Sequence, residues 1–330
     1  MKTRRGKTGI LLILFLCAVL ALLVLAFGMI DRIFDHANAG NDGMNDGAGG
    51  MEVLYYNAKA YVKKDSLETV LFVGLDTDSE IAAMDSAHLA DFLMLAVIDH
   101  DLQSVRFLHI NRDTMAYINQ LDHADAPSAT LYTQLARGHI FGSSETVRSH
   151  NTVRAVERLL YDIEIDHYVT MTMGAVRRIN DAVGGITLPL LADFSHVDAA
   201  YTEGAEVTLL GDFALTYIRA RGEMEDSTNL ARMKRQKQYM EQLLTVYLES
   251  ISAQDALHAE IAADTAPYLH TDLTVHQITR LGERISAYAF SGMEPIAGEA
   301  VLGEEFIEYY VDEQALQELV LALFYRVYEE

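Results

Sequence analysis

Residues 70–111 read VLFVGLDTDSEIAAMDSAHLADFLMLAVIDHDLQSVRFLHIN. Val70 to Gly74 is a short apolar run that stops at a glycine, the pattern of a buried strand entering a loop. Phe92 to Asp99 and Val105 to Asn111 repeat the pattern, and Asp99-His100-Asp101 between them suits a hairpin. Further out, Thr146 to Leu160 carries apolar residues at helical spacing (Val153, Val156, Leu159, Leu160). His167 to Met173 reads as a strand, and Gly174 to Val183 as a helix stopped by Gly184-Gly185. Asp212 is placed to cap a helix ending near Tyr217. Asn229 to Leu248 reads as a long helix with an apolar stripe at Met233, Met240, Leu244 and Tyr247. Strands alternating with helices predict an α/β fold, one sheet covered on both faces. Residues 251–330 hold helical and strand pieces with no linker of their own, so the domain is expected over 67–330.

The chain has 330 residues, half of them apolar, with 48 Asp and Glu against 25 Lys and Arg. A net charge of −23 argues against a nucleic-acid partner. Cys17 is the only cysteine, which excludes intramolecular disulfides and cysteine-rich zinc sites. The charge is uneven. Lys2, Arg4, Arg5 and Lys7 precede Ile10 to Ile30, a run of 21 residues without a charge. About 20 apolar residues cross a ~30 Å hydrocarbon core, whereas a cleavable signal has roughly 7–15. Ala37-Asn38-Ala39 resembles a cleavage site but lies well beyond the run. The expectation is a basic cytoplasmic tail (1–9), one retained transmembrane helix (10–30), and a spacer and juxtamembrane segment (31–66). Asp35 to Met51, rich in Gly, Asn and Asp, is the flexible part of that spacer. Positive-inside orientation leaves the main domain on the extracellular face of the cell membrane.

Three polar clusters can carry chemistry. Asp76, Asp78 and Glu80 follow the first strand, and Asp91 precedes the second. Two carboxylates converging from strand ends suit Mg²⁺ bridging to a phosphate, and a solvated acidic loop is the plainer alternative. Asn111-Arg112-Asp113-Thr114 follows the third strand. Arg112 can reach a phosphate and Asp113 can accept a proton, or the two form an ordinary strand-end ion pair. The third cluster is basic in an acidic chain: Arg219, Arg221, Arg232, Lys234, Arg235 and Lys237. Arg219 and Arg221, read as extended, point the same way. Arg232, Arg235 and Gln236 share one helix face, while Lys234 and Lys237 point elsewhere into solvent. Guanidiniums on adjoining elements match phosphate oxygens, and a salt-bridged surface helix is the alternative. No metal-protease histidine spacing, P-loop, Gly-x-Ser-x-Gly elbow or dinucleotide fingerprint is present.

In this order the pieces resemble the LytR-CpsA-Psr family of bacterial envelope proteins. LFVGLDTDSE supplies Asp76, LADFLMLAVI supplies Asp91, and HINRDT is similar to the family's Pro-Arg-Asp-Thr. NTVRAVERLLYDIEIDHYVTMTMGAVRRINDAVGGITLPL follows the family's helix, strand, helix and Gly-Gly pattern. LLGDFALTYIRAR supplies Arg219 and Arg221, and NLARMKRQ supplies Arg232, Arg235 and Gln236. The resemblance is strongest over 69–250. It implies a three-layer α/β/α domain with a central mixed sheet. The implied activity is transfer of a glycopolymer, such as teichoic acid or capsule, from a polyprenyl pyrophosphate carrier to peptidoglycan through a phosphodiester. In that reading Asp76 and Asp91 bind Mg²⁺, and Arg112, Arg219, Arg221 and Arg232 clamp the pyrophosphate. Gln236 orients an oxygen, Arg235 clamps or supports, and Asp113 is the base for the accepting hydroxyl or holds Arg112 in place. The lipid tail needs an apolar groove. Leu89, Ala116 and Asn229 depart from the family pattern, which leaves open a membrane-anchored regulator that binds the lipid-linked pyrophosphate without transferring.

Overall fold

The computed structural model describes residues 53–84, 86–220, 229–253, 255–285 and 288–328. The transmembrane helix expected over 10–30, and Arg221, lie outside the described residues. Among the described residues no helix is long and apolar enough to cross a membrane.

The strands are β1 (Val53–Tyr56), β2 (Lys59–Lys63), β3 (Leu67–Leu75), β4 (Ala90–Asp99), β5 (Ser104–Ile110), β6 (Met115–Leu121), β7 (Pro127–Gln134), β8 (His167–Thr172), β9 (Ile186–Pro189), β10 (Glu206–Leu209), β11 (Leu269–Thr271), β12 (Ala289–Pro295), β13 (Gly298–Leu302), β14 (Ile307–Val311) and β15 (Tyr325–Val327). The α-helices are α1 (Glu145–Leu159), α2 (Met173–Ala182), α3 (Gly211–Arg219), α4 (Asn229–Ala253), α5 (Asp255–Thr265), α6 (Val275–Ile285) and α7 (Glu313–Phe324).

The central sheet has the order β11-β8-β3-β4-β5-β12. β8 runs parallel to β3 and β12 parallel to β5, while the β11-β8, β3-β4 and β4-β5 pairs are antiparallel. The sheet is therefore mixed, and its strands alternate their apolar side chains between two cores. Phe72, Met94 and Phe107 face one core with Ile278, Leu281 and Ile285 of α6 and Ala175 of α2. Leu71, Val73, Leu95 and Leu108 face the other with Val153 and Val156 of α1, Leu316 and Val320 of α7, and Ile118 of β6. Helices cover both faces, which is the three-layer α/β/α arrangement expected from the sequence. A third cluster joins α2, α3, α4 and the β9-β10 hairpin around Phe194, Tyr217 and Tyr239.

Local chemistry explains the element ends. Gly184 and Gly185 both stand at φ +82, and a Cβ on Gly185 would meet the Leu209 carbonyl oxygen at 2.6 Å. Only glycine ends α2 this way without strain.

Four expectations are corrected. Residues 53–63, assigned to the spacer and juxtamembrane segment, form the β1-β2 hairpin, which pairs with β15. Its turn residues Asn57 and Ala58 stand at φ 47 and 60, the left-handed pair that tight hairpins require. Asp212 does not cap α3: it lies in the first turn and pairs with Arg177 at 3.1 Å. The Gly211 amide instead donates to Asp181 Oδ1 at 2.8 Å, a cap lent by another helix. Arg219 is the last residue of α3 rather than part of an extended segment. Lys237, expected in solvent, is half-buried and donates to the Met293 carbonyl at 3.0 Å.

Candidate functional site

A β-bulge starts the site. Gly74 pairs with Phe92 and Leu75 with Ala90, so Asp91 is the extra residue on β4. Such an insertion breaks the alternation and re-aims a side chain. Asp91 Oδ1 accepts from Arg112 Nη1 and lies 3.5 Å from Arg232 Nη1, and Arg232 Nη2 donates to the Asp91 carbonyl at 3.2 Å. Arg112 Nε donates to Asp113 Oδ1 at 3.1 Å. Gln134, at the end of β7, donates to the same Asp113 oxygen at 2.9 Å and to the Ile307 carbonyl at 2.9 Å. Asp91, Arg112, Asp113, Gln134 and Arg232 are all buried. Buried guanidiniums demand carboxylate partners with good geometry, and this network supplies them.

A second, more open cluster lies in the loop after β3. Asp76 forms an ion pair with Arg219 at Nε, and Asp78 accepts from Arg219 Nη2 at 2.8 Å. Arg177 of α2 reaches Asp78 at 3.7 Å and Asp212 at 3.1 Å. Asp76 and Asp78 are exposed.

Arg235 and Gln236 are buried and turn inward, but toward backbone. Arg235 donates to the carbonyls of Tyr217 and Ala220, and Gln236 Nε2 to that of Ile218 at 3.4 Å. These oxygens belong to the C-terminal end of α3, where the helix has no donors left and its dipole favours a cation. Arg235 thus supports the helix end that presents Arg219.

Near the two clusters in sequence is an apolar cavity of about 50 Å³, walled by Phe72, Gly74, Phe92, Met94, Met171, Met173, Val176, Ile218, Tyr239 and Met240, with Gln236 and Thr172 as its polar lining residues. Each cluster borders it in sequence: Phe92 follows Asp91, Ile218 precedes Arg219, and Gln236 follows Arg235. A Cβ on Gly74 would press on Phe92 Cβ at 2.9 Å, so the missing side chain keeps this wall open.

Sequence reasoning missed Gln134, Arg177 and His109, and gave Asn111 of the second cluster no role. The Asn111 side chain accepts from the Asp113 amide at 3.0 Å and from Asn229 Nδ2. The departing residue Asn229 is therefore held by Asn111 of the second cluster. An Asp at 229 has no proton to give Asn111 Oδ1, whereas Asn229 does. Ala116 is buried in the apolar layer with Ile118 and Leu135, a place that suits no guanidinium.

His109 of β5 packs its ring 5.0 Å from Phe92. Burial, then the charges of Arg232 and Lys237, hold its pKa down to about 3. An unfolded chain takes up this proton near 6.5, the folded one does not until about 3, so stability falls as pH drops through that window. The slope from this group reaches about 1.4 kcal/mol per pH unit. Urea unfolding at a series of pH values from 6.5 downward is expected to show the parent losing stability more steeply than His109→Phe. Parallel profiles would contradict the buried, neutral imidazole.

For Mg²⁺ the donor chemistry is compatible. Mg²⁺ takes one or two carboxylates and completes its shell with phosphate and water. Asp76 and Asp91 are such carboxylates, each charge-balanced by an arginine. Among the described residues no group of three or more His, Cys, Asp or Glu is placed to hold a metal by itself.

Comparison with known proteins agrees with this construction. The chain is 24% identical over 311 residues to the polyisoprenyl-teichoic acid–peptidoglycan teichoic acid transferase TagU of Enterococcus faecalis, covering 93% of this chain and 91% of that one. It is 28% identical over 176 residues to the like-named TagU of Halalkalibacterium halodurans, spanning about half of each chain (53% and 52%). Among solved structures, protein gbs0355 from Streptococcus agalactiae superposes with a TM-score of 0.61 at 19% identity, over 78% of this chain and 86% of that one, and so shares the fold. The LytR_cpsA_psr family model matches residues 37–323, and on that match the chain belongs to the LytR_cpsA_psr family.

Proposed function

We propose that this protein transfers a glycopolymer from a polyisoprenyl pyrophosphate carrier to peptidoglycan, forming a phosphodiester. One observation carries the reading: the walls of a greasy cavity are next in the chain to the polar clusters, with Ile218 before Arg219, Gln236 after Arg235, and Phe92 after Asp91, which pairs with Arg112 and Arg232. That juxtaposition fits a ligand with a hydrocarbon tail and a doubly phosphorylated head. The relatives named as teichoic acid transferases support the same reading.

Phosphoryl transfer asks for positioning and charge neutralisation more than covalent help. Arg112, Arg219 and Arg232, with Arg221, would bind the phosphate oxygens. Asp76 and Asp91 would hold Mg²⁺, which supplies neutralisation of the charge developing on the leaving phosphate. Gln236 and Arg235 keep the α3 end in place beside the head group. Asp113 presents Oδ1 to two donors, Arg112 and Gln134, which suits orienting Arg112. Its role as base for the acceptor hydroxyl is the competing assignment. The main domain would work on the outer face of the membrane, held there by residues 10–30.

The full-length protein in detergent, given a polyisoprenyl-pyrophosphate-linked polymer, peptidoglycan and Mg²⁺, is expected to yield polymer joined to peptidoglycan by phosphodiester, with less product in EDTA. No joined product would overturn the transferase reading. Full turnover by Asp113→Asn would remove Asp113 as base and leave it as the holder of Arg112.

A further inference from the structure

Away from the cavity, a second depression of about 370 Å³ begins at Met115, two residues beyond Asp113, and follows β6. Four tyrosines surround it. Tyr117 and Tyr132 are cross-strand partners on β6 and β7, with ring centroids 4.9 Å apart. Tyr161 follows α1 and Tyr310 lies on β14. They are 60%, 51%, 43% and 38% exposed, in that order, on a surface where large apolar side chains are otherwise scattered.

We infer that this groove is a saccharide site, and that its occupant is an uncharged stretch of the acceptor glycan. Tyrosine offers an apolar ring face with a hydroxyl at its tip, which suits the apolar faces and hydroxyl rims of pyranose rings. The charge argues for the acceptor over a phosphate-bearing polymer. Arg158 is the single base of the lining, spent on Asn119 Oδ1 at 2.8 Å. Glu313 of the same lining balances it and accepts from Tyr161 at 2.7 Å, while Glu308, behind the lining, accepts from Tyr310 at 2.6 Å. A polyanion would find no net positive charge there to hold it. The groove is also joined to the polar network: the Tyr309 amide, next to Tyr310, donates to the Asp113 carbonyl at 2.9 Å, and Gln134 ties Asp113 to β14. The naming of the occupant as acceptor rests on the transferase reading; the affinity for sugar does not.

The test is titration calorimetry on the full-length protein in detergent with chitotetraose, and separately with a glycerol phosphate oligomer. Chitotetraose is expected to bind with a Kd on the order of 1 mM, and the charged oligomer not at all. Tyr117→Ala with Tyr132→Ala is expected to weaken chitotetraose about tenfold or more, while Tyr132→Phe, which keeps the ring, retains it. Binding of a short polyprenyl pyrophosphate should be unchanged in the double variant, which also reports that it is folded. No saturable binding of chitotetraose, equal affinity in the double variant, or preference for the glycerol phosphate oligomer overturns the inference. So does a Tyr117-dependent dimer in sedimentation without sugar affinity. Failure of the unsubstituted protein to bind polyprenyl pyrophosphate would strike the transferase reading alone and leave the sugar affinity standing.

Discussion

Asp91→Ala is expected to abolish transfer and to lower the thermal midpoint of the full-length protein by about 10 °C. The carboxylate faces Arg112 and Arg232, which are 7% and 3% exposed. Removing it leaves two guanidiniums without their shared counter-ion where water does not reach. Breaking a buried pair from one side costs about 3–5 kcal/mol, and a domain of this size moves about 2–4 °C per kcal/mol. Replacing both Asp91 and Arg112 by apolar residues should recover little, because Arg232 still loses the Asp91 carboxylate and Asp113 loses Arg112. Scanning calorimetry decides it. A midpoint within about 2 °C of the parent would mean that the network does not hold these side chains.

Arg219→Ala separates function from stability. Its guanidinium is partly exposed and pairs with Asp76 and Asp78, themselves exposed. Surface pairs of this kind are worth about 0–1 kcal/mol, so the midpoint should barely move. Turnover should fall about 10²–10³-fold, the usual consequence of losing one donor to a charge that grows in the transition state. Arg219→Lys should restore little, since an ammonium does not reproduce the two-pronged grip. Initial rates with saturating polymer check it, and a loss under about threefold would place Arg219 outside the phosphate-binding set.

The parts of the fold that could be read directly are those in which local pattern and tertiary environment ask for the same thing. β3, β4 and β5 carry apolar side chains on both sheet faces because both faces are covered, and α2 stops where two glycines allow a left-handed turn. Asp91 illustrates the opposite case. Within Ala90–Asp99 nothing marks one residue as extra, and the bulge is visible only from the register against β3. The α3 cap escaped for a related reason: Asp181 lends its carboxylate across 30 positions, while the nearer Asp212 is drawn to Arg177. Asp113, Arg112 and Arg232 stood out as charged residues in motifs. Their partner Gln134 did not, because a glutamine at the end of a polar hairpin strand has no local signature. The Asn111–Asn229 contact joins two residues 118 positions apart, so the departure at Asn229, which looks like a loss in the linear chain, has a partner in space.

Both outermost strands of the central sheet, β11 and β12, come from the last quarter of the polypeptide. During synthesis, β8 and β5 wait with bare backbone donors and acceptors along their outer sides. From the end of β8 to the start of β11 about 100 residues must be added, roughly 5–20 s at ribosomal speed. Throughout that interval the nascent chain offers two adhesive margins to any neighbour able to add a strand. Shielding those margins is what a holding chaperone does, and a premature stop before residue 269 is expected to give an aggregating fragment rather than a smaller stable protein.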